Sequence, residues 1–343
     1  MRLGYGLLTG QRHPDDARDW AAVYREGIDY GVLADSAGLD SFWTSEHHFV
    51  DDGYMPAQLP VLAAIAARTE RIRLGTGVLL APMFDPLHLA EDAATVDLIS
   101  GGRLILGLGI GWRDEEFEGF DVDVRQRGRR LDAMIAVLRQ AWGDGLVTGD
   151  GASFRYREPG LNVTPKPIRG AATPIWIGAG AEAAVRRAGR VADGFLGSSV
   201  SPAALAERAV WIRDEAETIG RDPATIEIAV HRMAFPWRGP DAWARVVDAA
   251  RYMTWKYEDM SAARGSLERR RPPAMDAATA EALRSRVLVG SPEQVADGVR
   301  AYAATLGSTG SFVFRGHFPG LDPAVQREAF NTLVEEVVPL LRD

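Results

Sequence analysis

Short apolar runs alternate with amphipathic helical stretches almost without a break over the 343 residues of this chain. The runs are β-branched or aliphatic and bounded by Gly, Pro or Asp, the signature of buried strands. They fall at Leu3–Leu8, Ser41–Ser45, Ile72–Leu80, Arg103–Gly109, Pro174–Gly178, Gly194–Gly197, Thr225–His231 and Ser311–Arg315. Helical stretches follow at Trp20–Ala37, Pro56–Arg68, Pro86–Ile99, Arg125–Trp142, Ala181–Val191, Pro202–Ile219, Pro292–Leu306 and Pro323–Leu340. Pro56, Pro86, Pro202 and Pro292 serve as start signals, because proline lacks an amide that is unpaired in the first helical turn anyway. Strand-then-helix repetition implies a parallel sheet, and eight such units predict a closed (β/α)8 TIM barrel.

Two stretches break the rhythm. Residues 144–173, rich in Gly and Pro with scattered aromatics, predict a hairpin-like excursion before the fifth strand. Residues 238–286 form a charged, partly helical insertion that carries Tyr252, Tyr257, Trp243 and Trp255. Long barrel insertions commonly lie over the carboxyl-terminal face and cover the site, so 238–286 reads as a lid, with a dimerisation element as its rival.

The second strand ends in Ser45-Glu46-His47-His48-Phe49. Side chains at the carboxyl end of a barrel strand face the mouth where barrel enzymes do chemistry. Imidazoles and a carboxylate are costly to bury there without partners or work. Adjacent residues of an extended segment point to opposite faces, so one histidine of the pair is expected at the site and the other packed. A metal centre is disfavoured: barrel hydrolases use a His-x-His pair with further His and Asp ligands, and the last strand ends in Arg315-Gly316-His317 without an aspartate.

Glycines mark three further strand ends. Gly75 and Gly77 sit among β-branched residues of the third strand, where glycine signals either tight layer packing or close approach of a ligand. Gly107-Leu108-Gly109-Ile110-Gly111-Trp112 extends the fourth strand; it imitates part of a dinucleotide fingerprint without the ribose-binding acid that completes one. Such a glycine-rich end suits a planar ring, on which Trp112 could stack. Gly178-Ala179-Gly180-Ala181 joins the fifth strand to a helix, where free amides and the positive helix end form an anion site. Ser291 reads as a helix N-cap.

The balance of charge, −8 at neutral pH, excludes a nucleic-acid partner that needs a basic surface. With no cysteine in the chain, disulfides, thiolate metal sites and cysteine nucleophiles are excluded. The first residues run directly into a strand without a signal peptide, and no apolar stretch approaches a membrane span; a cytoplasmic enzyme is the expectation.

In this order and spacing the motifs resemble the bacterial luciferase-like, flavin-dependent oxidoreductases. The resemblance runs from about Leu3 to Phe318. It rests on Phe42–Phe49, Leu74–Val78, Pro86–Asp92, Leu98–Leu104, Gly107–Trp112, Pro174–Gly180 and Arg190–Phe195. It implies that His47 is the histidine beside the flavin used in acid–base chemistry. It also implies a cis peptide at Gly77-Val78 behind the ring, and Ala179-Gly180 with the amides after them on the coenzyme phosphate. Gly109, Gly178 and Ala181 join this cofactor set, with Glu46, His48 and Trp112 toward substrate. Ile110 stands where luciferases proper carry the phosphate-binding arginine, and Gly109 where they carry a cysteine, so light emission is not expected.

The first reading implied is a two-component monooxygenase: reduced FMN from a separate flavin reductase, with O2, oxidises a small, partly apolar substrate, and the protein is a homodimer. The alternatives are hydride transfer with the deazaflavin coenzyme F-420, and a flavin-binding protein without catalysis.

Overall fold

In the computed structural model, which describes residues 1–342, eight parallel strands close into a barrel with helices around it. They are β1 (Arg2–Leu8), β2 (Ser41–Thr44), β3 (Arg73–Thr76), β5 (Leu104–Gly109), β6 (Ile175–Gly178), β7 (Gly194–Ser198), β8 (Glu227–Pro236) and β10 (Ser311–Arg315). Neighbours pair in that order, and β10 bonds both β1 and β8, which closes the cylinder.

Three strand readings change. The third run is broken: β3 ends at Thr76, and β4 (Leu79–Leu80) resumes pairing with β5 after the cis Gly77-Val78 peptide. The seventh runs on to Pro236, because its last residues, Met233 to Pro236, pair with an additional strand, β9 (Val287–Gly290), that lies outside the barrel. That strand was not expected; four residues leading straight into Ser291-Pro292 read only as a helix entry.

Most helices start where capping chemistry places them. Asp85, Ser201, Ser291 and Asp322 each accept from first-turn amides, with Pro86, Pro202, Pro292 and Pro323 as first helical residues. Ser291 and Gln294 complete a capping box. Pro56 is the exception: its helix begins at Gln58. A six-residue helix, Asp114–Gly119, follows β5 where the sequence showed only a connection. Its three leading acids, Asp114, Glu115 and Glu116, suit the positive end of a helix.

Inside the barrel, Trp43 and Trp176 lie 5.2 Å apart among Leu7, Ile105, Leu196, Ala229 and Val313. Two glycines make room for them: a Cβ on Gly75 would meet the Trp43 ring at 2.2 Å, and one on Gly194 the Trp176 ring at 2.4 Å. Packing therefore explains Gly75, whereas Gly77 borders the cavity described below.

The two insertions sit differently. Residues 144–173 join the helix Arg127–Trp142 to the start of β6, so they leave from the amino-terminal end of the barrel, not from the face that carries the cavity. Antiparallel bridges Val147–Leu161 and Gly149–Arg155 give this excursion its hairpin form. Residues 238–286 follow the carboxyl end of β8 and contain the helices Ala242–Ala262 and Ala277–Arg284. The longer helix buries Val246, Ala250, Met253 and Met260, and Val246, Ala250 and Met253 pack with Phe235, Trp237 and Phe318. No helix among the described residues is long and apolar enough to cross a membrane.

Candidate active site

A cavity of about 270 Å³ opens at the carboxyl ends of the strands. Its apolar surface comes from Leu7, Val78, Leu80 and Leu196, and its polar groups from Ser45, Glu46, His47, Ser198, His231 and Tyr257. Gly77, Gly109, Gly178, Ala179, Gly180 and Trp112 complete most of the wall. The expected site residues thus converge here, apart from His48 and Ala181.

Local backbone irregularity builds this mouth. The β1–β2 register shifts between Gly6 and Leu8, and Leu7 takes a left-handed conformation with φ 46°. Phe49, in the segment after β2, and Ser199, directly after β7, do the same with φ 56° and 50°. Non-glycine residues in this region carry strain that surrounding structure must hold in place, and such residues gather at functional sites. Val78 forms part of the floor, and two glycines admit its side chain. A Cβ on Gly109 would meet Val78 at 2.5 Å, and one on Gly178 at 2.6 Å. Gly180 differs, since a Cβ there meets nothing within 4 Å.

His47 is 5 % exposed, and its Nδ1 lies 2.9 Å from Oε1 of Glu116. The same oxygen accepts from the backbone amide of His48 at 3.0 Å. Burial alone would raise the Glu116 carboxyl; the His47 bond and charge, the His48 amide and the Arg113 guanidinium outweigh it and hold the carboxyl below its usual range. An ionised carboxylate only accepts, so Nδ1 of His47 carries the proton it shares, and Nε2 is left for the cavity. Tyr54, Trp112 and Tyr257 surround the ring edge-on, at centroid distances of 4.9, 5.8 and 5.6 Å.

Glu46 and His48 pair with each other at 3.3 Å. Glu46 also accepts from the amide of Leu80 at 3.0 Å and from Gln58 at 3.3 Å. It therefore anchors the strand end after the Gly77-Val78 peptide while touching the cavity. His48 turns away from the cavity, onto Phe120 at 4.8 Å. The two histidines part in the segment beyond Thr44, where β2 has ended, and each finds its own acid.

Glu116, Tyr257 and Tyr54 were not anticipated as site residues. Fully buried Arg113 ties the short helix down, donating to the carbonyls of His48 at 2.6 Å and Met260 at 3.0 Å. Met260 and Tyr257 belong to the insertion helix, and the Tyr257 hydroxyl meets that of Tyr54 at 2.8 Å, which donates to Ser45 at 2.9 Å. His231, on β8, is buried with Nδ1 unpartnered. Burial first, then the nearby Arg315 and Arg232 charges, push it down to about 3, so it faces the cavity as a neutral imidazole.

Ala181 caps the helix Glu182–Val191 without a side-chain bond to the first-turn amides. It lines an adjoining groove of about 410 Å³ with Arg125, Arg127, Gly128 and Arg187, which meets the main cavity at Ile110. Arg125 pairs with Asp123 and Arg187 with Asp132, so Arg127 adds the least compensated charge.

Comparison with known proteins matches this architecture. The chain belongs to the luciferase-like monooxygenase family, whose model matches residues 1–309. An F-420-dependent glucose-6-phosphate dehydrogenase of Kineococcus radiotolerans is 29 % identical over 100 % of this chain and 97 % of its own. The oxygenase component of a flavin-dependent trigonelline monooxygenase of Acinetobacter baylyi is 32 % identical over 52 % of this chain; the match spans only 49 % of that relative's length. Among solved structures, the monooxygenase RslO1 of Streptomyces bottropensis superposes with a TM-score of 0.83 at 23 % identity, covering 99 % of both chains.

Proposed function

We propose that the cavity holds the tricyclic ring of a flavin-type coenzyme against Val78, with His47 beside it as proton donor and acceptor. The observation that carries this reading is the His47–Glu116 pair: an ionised acid fixes the imidazole and leaves Nε2 at the cavity. The residues fit such a group. The floor is apolar, Gly178–Gly180 leave the turn uncluttered, and the uncapped helix start offers amides to a phosphate. When bound, the coenzyme supplies the hydride or activates oxygen. The protein orients the ring, excludes water with Trp112 and Tyr257, and moves a proton at Nε2 of His47.

Between the coenzymes, the geometry favours F-420. The groove beyond Ala181 carries arginines past the phosphate position, suiting a coenzyme whose anionic tail extends further than that of FMN. Supporting this, the full-length relative above is named for F-420. The reaction is then hydride transfer to or from a small substrate.

The second reading is an FMN-dependent monooxygenase that takes reduced FMN from a separate reductase. The resemblance to the Acinetobacter baylyi oxygenase component favours it. Anaerobic titration with reduced F-420 and reduced FMN separates the two. Tighter binding of F-420, with the difference lost in Arg127→Ala, supports the first; equal or tighter FMN binding supports the second; neither binding rejects both.

A further inference from the structure

Beside the coenzyme cavity lies a second one of about 220 Å³, which shares Ser198 and Tyr257 with it. Arg315, the last residue of β10, lines this chamber and is 6 % exposed. Among the described residues no carboxylate pairs with it, and its buried Nε has no hydrogen-bond partner. Its guanidinium lies 5.6 Å over the Tyr257 ring, and Nη2 donates to the Tyr257 hydroxyl at 3.4 Å.

Two other buried cations have acids beside them. Lys256 has Asp51 and Asp259, and Arg113 has Glu116 and three further oxygens within reach. Arg232 also lacks an acid and has an unpartnered Nε, but its two terminal nitrogens are spent on the carbonyls of Val200 and Ser285 and the Tyr302 hydroxyl, and it does not line the chamber. A buried guanidinium facing a cavity without an acid is expensive to desolvate, and an incoming anion relieves that cost. Its other charged neighbours sharpen the point: Arg286 sits at the exposed rim, Arg232 lies nearby, and His231 is neutral, leaving the exposed Glu258 as the acid that borders the chamber. Met233 and Met253 supply apolar, adaptable walls.

We infer that this chamber is the substrate subsite and that the substrate carries a carboxylate, held by Arg315 while its reacting carbon reaches past Tyr257 toward His47. The inference rests on the coenzyme reading above. It names the substrate class as a small carboxylic acid with a partly apolar body. The flat, forked guanidinium matches a carboxylate with two parallel bonds better than a point cation does.

Calorimetric titration of the coenzyme-loaded protein with acetate, butyrate, benzoate and inorganic phosphate tests it. At least one carboxylate binds saturably; Arg315→Met weakens that binding by about 10- to 100-fold, the scale for a hydrogen bond to a charged group; Arg315→Lys restores part of it. Thr254→Glu provides an independent variant: Thr254 lines the chamber from a helix, and a carboxylate there occupies Arg315 and expels the ligand while the fold is kept. Coenzyme affinity, measured in the same samples, stays unchanged in Arg315→Met and Thr254→Glu. No saturable carboxylate binding, binding of phosphate alone, or equal affinity in wild type and both variants overturns the inference. Failure of the wild type to take up any coenzyme instead refutes the coenzyme reading on which it rests.

Discussion

His47 reaches Glu116 across 69 positions of sequence, with Nδ1 and Oε1 2.9 Å apart in a site closed to solvent on that side. The pair joins the end of β2 to the short helix Asp114–Gly119. Oε1 serves the ring and the His48 amide together, so the acid sets both the tautomer of His47 and the path of the chain after it.

Residues that act as a unit lose function non-additively. We expect His47→Ala to lower turnover by roughly 10²-fold, the scale for a positioned acid or base, with coenzyme affinity nearly intact. Glu116→Gln lowers it too, and the double variant is little worse than His47→Ala. His48→Ala serves as the control, acting on thermal stability through the Glu46 and Phe120 contacts while keeping turnover. Steady-state assay of the four variants at saturating reduced coenzyme decides; full activity in His47→Ala contradicts the role given to it.

Gly180→Asp probes the phosphate cradle. Because a Cβ at Gly180 meets nothing within 4 Å, the fold tolerates the side chain, and what changes is charge at the helix start. Coenzyme affinity should fall at least about 10-fold, since two like charges a few ångströms apart near a surface repel by a few kcal/mol. Equal affinity by equilibrium titration moves the phosphate elsewhere.

His231 gives a pH signature. Its folded-state value is pushed down to about 3 by burial and by the Arg315 and Arg232 charges, against about 6.5 unfolded. Between these values the unfolded chain binds the extra proton, so stability falls as pH drops through that window and is whole above it. Thermal midpoints measured from pH 7 to pH 4 should decline less steeply in His231→Gln than in wild type. Parallel curves contradict the assignment.

Much of this was readable in the residues. His47 stood out because a strand end fixes where a side chain points, whatever surrounds it. Its acid did not: a six-residue helix is too short to show a period, and the fold brings Glu116 in from another unit. Gly75 and Gly77 looked alike in sequence, and only the position of the Trp43 ring separates a packing glycine from a cavity glycine. The extra strand β9 depends on β8 outrunning the barrel, a pairing that no local pattern encodes. Arg315 was visible as a strand residue, but the lack of an acid beside it is a property of the assembled barrel.

The insertion should behave as two parts. The helix Ala242–Ala262 is tied by the Tyr252–Asp52 bond at 2.9 Å and the buried Lys256–Asp51 ion pair, whereas residues 264–276 contain no helix or strand and Leu267 is 99 % exposed. We propose residues 264–276 as the moving edge of a lid. Hydrogen exchange there should be fast without coenzyme and slow with it, while the helix Ala242–Ala262 stays protected throughout. Slow exchange of residues 264–276 in both states argues for a fixed interface instead.

The central claim is that the coenzyme ring lies on Val78 beside His47, and a crystal structure of the complex with F-420 tests it most directly. The account predicts the ring against Val78, the phosphate on the amides at Gly180 and Ala181, the tail along Arg127, and Nε2 of His47 within hydrogen-bond distance of the ring or of the reacting end of a bound substrate. A coenzyme bound outside this cavity, or a ring placed with His47 out of reach, contradicts it.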